Sequence, residues 1–431
     1  MLQSNHTVNE AGHFSVAGVD TVKLAEKYGT PLYVLDEELI RTQMRRYVSA
    51  MKEYLPAGSK PFLASKALSC REIYRIACAE GMGTDIVSSG ELYTALSVGF
   101  EAENMCFHGS AKTMAEIRYG MESGVGHFVV DNPDELERIS KAAVELGVSQ
   151  RVLLRLTPGI DPHTFEAVNT GKADSKFGMS IETGQAMEIT HQALEMPGVV
   201  VDGFHCHIGS QIGEATPFLD AVDIMMDFMA KVRGELGFTA SVLNLGGGPA
   251  VPYGEGEPDA DIEGQICAIG EHLEARCKAY DYPLPAVWLE PGRSIVGAAG
   301  VTLYTVQNVK TIPGYKNYIA IDGGMTDNPR YALYGARHPA LIANRASEPM
   351  DFVADLAGRC CESGDLLGEA VSIQTPQTGD TVAVLVTGAY NYSMASNYNR
   401  VPRPPIVMLR EGEDRLVVRR ETFEDLVACD L

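Results

Sequence analysis

Trp288-Leu289-Glu290-Pro291-Gly292-Arg293-Ser294 closes an apolar run with a carboxylate and follows it at once with an arginine hinged on glycine. The same kind of short β-rich run recurs upstream, at residues 62–65, 83–87, 104–108, 127–130, 152–156, 201–207 and 241–245, and 286–290 is the eighth. Amphipathic stretches separate the runs, among them 70–80, 89–98, 111–123, 133–146 and 221–236. Strand and helix alternating about eight times predict a closed parallel (β/α)8 barrel. Such barrels place their chemistry at the C-terminal strand ends. Those ends here carry Lys66, Asp85, His108, Asp131, Arg155, His207, Gly246 to Gly248 and Glu290, a concentration of reactive groups that chance rarely produces.

A chain of 431 residues exceeds what one barrel needs, and 45% apolar content supplies core for a second domain. From Arg293 onward the pattern changes to alternating β segments broken by Gly and Pro, at 301–309, 318–321, 352–356, 381–386, 405–409 and 414–419. These read as an antiparallel β-sandwich or β-barrel domain. Residues 12–16 read as a strand of the same domain and 22–28 as a short helix, while the run 31–35 reads as the lead into the barrel. The expected division is therefore a barrel over 31–292, with 1–30 and 293–431 forming the β domain. No long-period repeat or low-complexity tract interrupts either part.

The formal charge is −22, from 57 acidic and 35 basic residues, and no strong basic patch interrupts it. An acidic field of that size argues against nucleic acid or an anionic membrane as partner and leaves a small molecule as the expected one. There is no secretory signal and no apolar run near membrane-spanning length, and the nine cysteines lack regular spacing. A reduced, cytoplasmic protein is the expectation. Adjacent Cys360 and Cys361 raise the thought of a metal or redox pair, but no CxxC partner accompanies them.

Four features bear on a ligand. Lys66 follows Phe62-Leu63-Ala64-Ser65, where a cation is costly unless the strand ends there or the amine is used as a nucleophile. The glycines Gly246, Gly247 and Gly248 let successive backbone N–H groups converge on an anion, and no GxxxxGK[ST] pattern suggests a nucleoside triphosphate. His205 and His207 share one face if the strand continues between them; they could form a zinc pair, but stacking of a histidine on a cofactor ring, with Ser210 donating to phosphate, is favoured because no acidic third ligand follows at metal spacing. No metal is therefore expected. Glu290 and Arg293 suit a ligand that carries both a cation and an anion, and pyridoxal phosphate is one: its ring nitrogen must stay protonated and its phosphate needs positive partners.

Lys66, Asp85, Glu91, His207-Ile208-Gly209-Ser210, Gly246 to Gly248, Glu290-Pro291-Gly292-Arg293, Cys361-Glu362-Ser363-Gly364-Asp365 and Gly388-Ala389-Tyr390 fall in an order that resembles the fold-type III pyridoxal phosphate decarboxylases. Within that family, Asp174-Ser175-Lys176-Phe177-Gly178, Arg330-Tyr331-Ala332-Leu333-Tyr334, the Cys361 to Asp365 run and the stretch from Tyr390 to Arg400 are similar to its diaminopimelate-specific branch. The marks span nearly the whole chain. The resemblance implies that Lys66 binds pyridoxal phosphate covalently, that Glu290 keeps the ring nitrogen protonated and that His207 stacks on the ring. It further implies a cofactor shell of Asp85, Ser210, Gly247, Gly248, Gly292, Arg293 and Tyr390, and a substrate shell of Arg293, Arg330, Tyr334, Glu362 and Tyr390. Cys361 resembles the family's proton donor, reaching in from the partner of a homodimer with shared active sites.

Two departures stand out: Ala67-Leu68 follows the lysine where the family commonly has Ala-Asn, and Tyr331 replaces a proline. The implied reaction is decarboxylation of meso-diaminopimelate to L-lysine, with D-ornithine, D-lysine, L-ornithine or L-arginine as competing substrates. The far end of diaminopimelate is a zwitterion that needs both a cation and an anion, which Arg293, Arg330 and Glu362 offer together. A racemase on the same barrel would need a tyrosine where Cys361 stands, and a non-catalytic regulatory homologue would be expected to lack Lys66 or Cys361.

Overall fold

Strand Ala286–Leu289 pairs in parallel with Lys60–Ala64, through Trp288 opposite Lys60 and Leu289 opposite Pro61, and this pairing closes the barrel. The computed structural model describes residues 4–160, 175–254, 257 and 259–431. Around the ring the strands run Lys60–Ala64, Gly83–Ile86, Met105–Phe107, His127–Val130, Gln150–Thr157, Val199–His205, Val242–Asn244 and Ala286–Leu289, all parallel to their neighbours. All eight expected runs are strands. They read as apolar runs because both faces are covered, the outer by helices and the inner by side chains such as Phe62, Cys106, Val129, Leu153, Val242 and Trp288. Phe62 and Trp288 meet at 4.9 Å between ring centroids. Truncating a side chain in this layer, as in Leu153→Ala, should cost about 2–5 kcal/mol, because the ring of strands cannot collapse onto the void.

Helix boundaries follow their caps. Asn132 accepts from the Glu135 N–H at 2.9 Å ahead of a helix that opens on Pro133 and ends at left-handed Gly147. Thr113 and Glu116 form a reciprocal capping box. Such caps fix where these helices begin, Pro133 directly past the strand His127–Val130 and Met114 past Met105–Phe107.

Contacts divide the chain into two compact units, Gln43–Val251 with Pro258–Ser294, and Met1–Thr42 with Pro252–Glu257 and Ile295–Leu431. The second unit is mostly sheet. Gly300–Ile312 is its spine, pairing antiparallel with Leu32–Asp36, Lys316–Ile321 and Thr381–Leu385. Two pairings are parallel, Leu32–Asp36 with Ile406–Arg410 and Lys316–Ile321 with Phe352–Ala357, so the sheet is mixed rather than purely antiparallel. Tyr304, Val306, Ile319, Ile321, Ile342 and Val382 belong to its core.

The run expected to lead into the barrel is corrected here. Leu32–Asp36 is wholly buried and lies in the second unit's sheet, and the contact boundary falls after Thr42 rather than at residue 31. A strand covered on both faces carries no alternation to tell one sheet from another. Ala340–Ile342 and Leu366–Ile373 are strands that the sequence reading omitted.

Candidate active site

The barrel strands deliver their last residues to one end of the ring. Lys66 sits in the short turn Ser65–Ala67 just past its strand, exposed while its immediate neighbours are buried. The turn is pinned from two sides: Asp85 accepts from the Ser65 N–H at 2.8 Å, and the Ala64 N–H donates to the Pro291 carbonyl at 2.9 Å. Gly292 explains its own identity here, since a Cβ would lie 2.9 Å from the Ala64 methyl and 3.1 Å from that of Ala67.

Glu290 is buried directly after its strand. Asn244 Nδ2 donates to Oε1 at 2.7 Å, His108 Nε2 lies 2.9 Å from the same oxygen, and His205 Nε2 lies 3.3 Å from Oε2. Burial is the largest influence on both imidazoles and lowers them, His205 to about 4, while the neighbouring Glu290 charge pulls the other way. Burial works to raise the Glu290 carboxyl, but His108 and His205, chiefly by charge attraction, outweigh it and hold it well below the usual range. Asp85 goes the other way, raised by burial first and by the charge on Glu290 second. The negative charge of the pair therefore resides on Glu290.

The glycine loop is locked to the same carboxylate. Asn244 Oδ1 accepts from the Gly246 N–H at 2.8 Å, and the Glu290 N–H donates to the Gly246 carbonyl at 2.8 Å. A Cβ on Gly247 would collide with the Glu290 carbonyl, and Gly248 holds φ at +141°. Arg293 is buried and its Nε donates to Ser210 Oγ at 3.3 Å. Ser210, the glycine loop and Arg293 thus form a cradle of backbone N–H groups, a hydroxyl and a guanidinium, a donor set suited to a phosphate.

The alternation read across His205 and His207 does not carry through. The strand ends at His205, which turns to Glu290 and stacks edge-on against His108 at 5.0 Å. His207 instead packs by the Gly246 turn, where a Cβ would lie 2.7 Å from its Nδ1. Burial, then the charges of Lys66 and Arg155, hold His207 well below the ordinary histidine value, leaving a neutral ring. The metal-competent grouping among the described residues is His108, His205 and Glu290, not the two neighbouring histidines. Of the residues around Glu290, Asn244 escapes the sequence reading, His108 is placed at the barrel mouth without a role, and His205 is weighed only as half of a zinc pair. The available signal was a polar residue ending an otherwise apolar strand.

The remaining expected residues lie in the sheet unit. Arg330 opens the short helix Arg330–Tyr334, is buried, and places its guanidinium 5.1 Å from the Tyr334 ring and 5.2 Å from the Tyr390 ring. Tyr390 adopts φ +61°, an unusual conformation for a tyrosine. Cys361 and Glu362 stand exposed on the loop after Phe352–Ala357. Of the family marks, Asp174 lies outside the described residues.

A parallel barrel that gathers a lysine, a buried anionic carboxylate and a phosphate-shaped cradle at one end has the frame of a pyridoxal phosphate enzyme. The family described as "Pyridoxal-dependent decarboxylase, pyridoxal binding domain" matches residues 39–297. Diaminopimelate decarboxylase of Bacillus subtilis is 44% identical over 100% of this chain and 98% of its own, and that of Staphylococcus aureus 41% identical over 98% of each. The crystal structure of diaminopimelate decarboxylase from M. jannaschii in complex with L-lysine superposes with a TM-score of 0.92 at 36% identity, covering 100% of this chain and 99% of the other. The chain belongs to the diaminopimelate decarboxylases, within the pyridoxal-dependent decarboxylase family.

Proposed function

We propose that the protein decarboxylates meso-diaminopimelate to L-lysine and CO2, with pyridoxal phosphate as cofactor, as the closing step of lysine biosynthesis. The observation that carries this reading is full-length similarity to diaminopimelate decarboxylases, one of them solved with L-lysine bound. Formation of L-lysine requires that the carboxylate be lost from the D centre, so the intact L end must be the one recognised at a distance.

Bound in this site, pyridoxal phosphate supplies an electron sink for the pair released as CO2 leaves. The residues divide the remaining work. Lys66 provides the amine that binds the cofactor covalently, and Asp85 pins the turn that carries it. Anionic Glu290, set among Asn244, His108 and His205, keeps the ring nitrogen protonated. Neutral His207 stacks on the ring without adding a competing charge. Ser210, Gly247, Gly248, Arg293 and Tyr390 take the phosphate, and Gly292 allows the Lys66 turn to pack closely. Arg330, with Arg293 and Tyr334, binds the distal carboxylate while Glu362 binds the distal amine. The Cys361 thiol returns a proton to Cα after CO2 departs.

Two copies would share their sites, the Cys361 of one serving the Lys66 of the other, which accords with the exposure of Cys361 and Glu362. A cytoplasmic setting is supported by free cysteines throughout the described residues, among which no helix is long and apolar enough to cross a membrane. Growth without lysine tests the function in cells. A bacterial lysine auxotroph lacking its own diaminopimelate decarboxylase should grow when given this protein and fail with Lys66→Ala; failure with both, despite soluble expression, contradicts the reading.

A further inference from the structure

In the sheet unit, the segment carrying Arg330, the loop carrying Cys361 and the stretch after Tyr390 are tied into a closed triangle. Asp365 makes the first side. It is 3% exposed beneath a loop that is exposed from Cys361 to Gly364. Its Oδ1 accepts from the Met325 N–H at 2.6 Å and its Oδ2 from the Cys360 N–H at 2.7 Å. The second side is the Ser396 N–H donating to the Thr326 carbonyl at 2.8 Å, and the third is the Cys361 N–H donating to Asn399 Oδ1 at 3.0 Å. Asn399 holds φ at +50°, a conformation that asparagine tolerates better than most residues. The first corner is braced internally as well, since the Gly324 N–H donates to Asp327 Oδ1 at 3.0 Å and the Asn328 N–H to the Gly324 carbonyl at 2.8 Å.

We propose that Asp365 is a positioning residue for the reaction, setting the Cys361 proton donor and the Arg330 substrate contact together by bridging their two loops. The proposal rests on the roles given above to Cys361 and Arg330. Three features of the geometry single out a carboxylate here. Both of its oxygens face backbone N–H groups, so both must accept, which asparagine cannot do without turning an N–H toward another N–H. Its surroundings leave no slack, because a Cβ at Gly324 or Gly358 would run into the carboxylate. The bonds it accepts are charge-assisted and buried, the kind whose loss is most strongly felt.

The test uses Asp365→Asn in the full-length protein, with melting temperature, KM and kcat for meso-diaminopimelate, and the rate of Cys361 alkylation by iodoacetamide read by peptide mass spectrometry. Alkylation is measured on cofactor-free protein, so it reports the loop without the reaction. Bridging predicts a folded variant with KM raised and kcat lowered together, each about tenfold or more, and an altered Cys361 alkylation rate. A merely structural role would lower the melting temperature and leave all three at wild-type values in the folded protein, and that result overturns the proposal. Should Asp365→Asn fail to fold, Asn399→Gly carries the test by releasing only the Cys361 side. It should change alkylation and lower kcat with KM kept, and wild-type values for both overturn the proposal. Wild-type protein that makes no lysine would defeat the functional reading instead, while the alkylation result still decides whether Asp365 holds the loop.

Discussion

Asn244 binds Glu290 and Gly246 at once, its Nδ2 on the Glu290 carboxylate at 2.7 Å and its Oδ1 on the Gly246 N–H at 2.8 Å. One side chain thereby fixes the distance between the group proposed for the ring nitrogen and the loop proposed for the phosphate. A cofactor that needs both ends engaged should be sensitive to it. Asn244→Leu should weaken pyridoxal phosphate binding by about ten- to a hundredfold, the value of one hydrogen bond to a buried charge plus a loosened loop. Titration of the cofactor-free variant, followed by absorbance, measures this; unchanged affinity would place the ring nitrogen elsewhere.

Arg330 carries the argument for the distal carboxylate. Removing a charge-assisted contact costs about 1.5–3 kcal/mol, so Arg330→Ala should reduce kcat/KM for meso-diaminopimelate roughly ten- to a hundredfold while cofactor binding survives. An unchanged kcat/KM would remove Arg330 from the substrate shell. Its seat between two tyrosine rings makes the lysine substitution a poor rescue, since only guanidinium matches both the carboxylate fork and the ring faces.

Shared active sites predict complementation. Lys66→Ala and Cys361→Ala proteins should each be inactive alone. Mixed under subunit exchange, about half the dimers are mixed, and each of those holds one site with both native residues, so about a quarter of wild-type activity should return. No recovery, with exchange confirmed by native mass spectrometry, would place Cys361 in its own chain's site or outside the reaction.

Asp327 should leave a mark on the pH dependence of stability. It accepts from Tyr304 at 2.5 Å and its carboxyl is raised to about 7, chiefly by burial. Unfolded, it ionises near 3.8. Between those values the folded protein holds a proton that the unfolded chain has released, so this contribution is complete below 3.8 and is lost as pH rises through about 7. Asp327→Asn imitates the protonated form. Its melting temperature relative to wild type should therefore rise between about pH 4 and pH 7; a difference independent of pH would show that Asp327 is ionised throughout.

The barrel was legible because strands buried on both faces are short apolar runs, and their polar terminations mark the mouth. The same property concealed Leu32–Asp36, whose five buried residues resemble a barrel strand although its partners are Gly300–Ile312 and Ile406–Arg410. Residues proposed to touch ligand were readable from their order along the chain. Those that act behind them were not: His205 and His207 looked equivalent until the strand was seen to end between them, and Asn244 and Asp365 matter through hydrogen bonds to groups distant in sequence. Such pairings follow from the closing of the ring and the folding of the sheet, which no local pattern reports.

The most direct measurement is product identification from the pyridoxal phosphate-loaded protein offered meso-diaminopimelate, D-lysine, D-ornithine, L-ornithine and L-arginine in parallel. The roles proposed for Arg330, Arg293 and Glu362 predict that only meso-diaminopimelate is consumed efficiently, yielding L-lysine and one equivalent of CO2 by chiral chromatography and mass spectrometry. Cadaverine, putrescine or agmatine as the main product, with diaminopimelate left intact, would contradict the account.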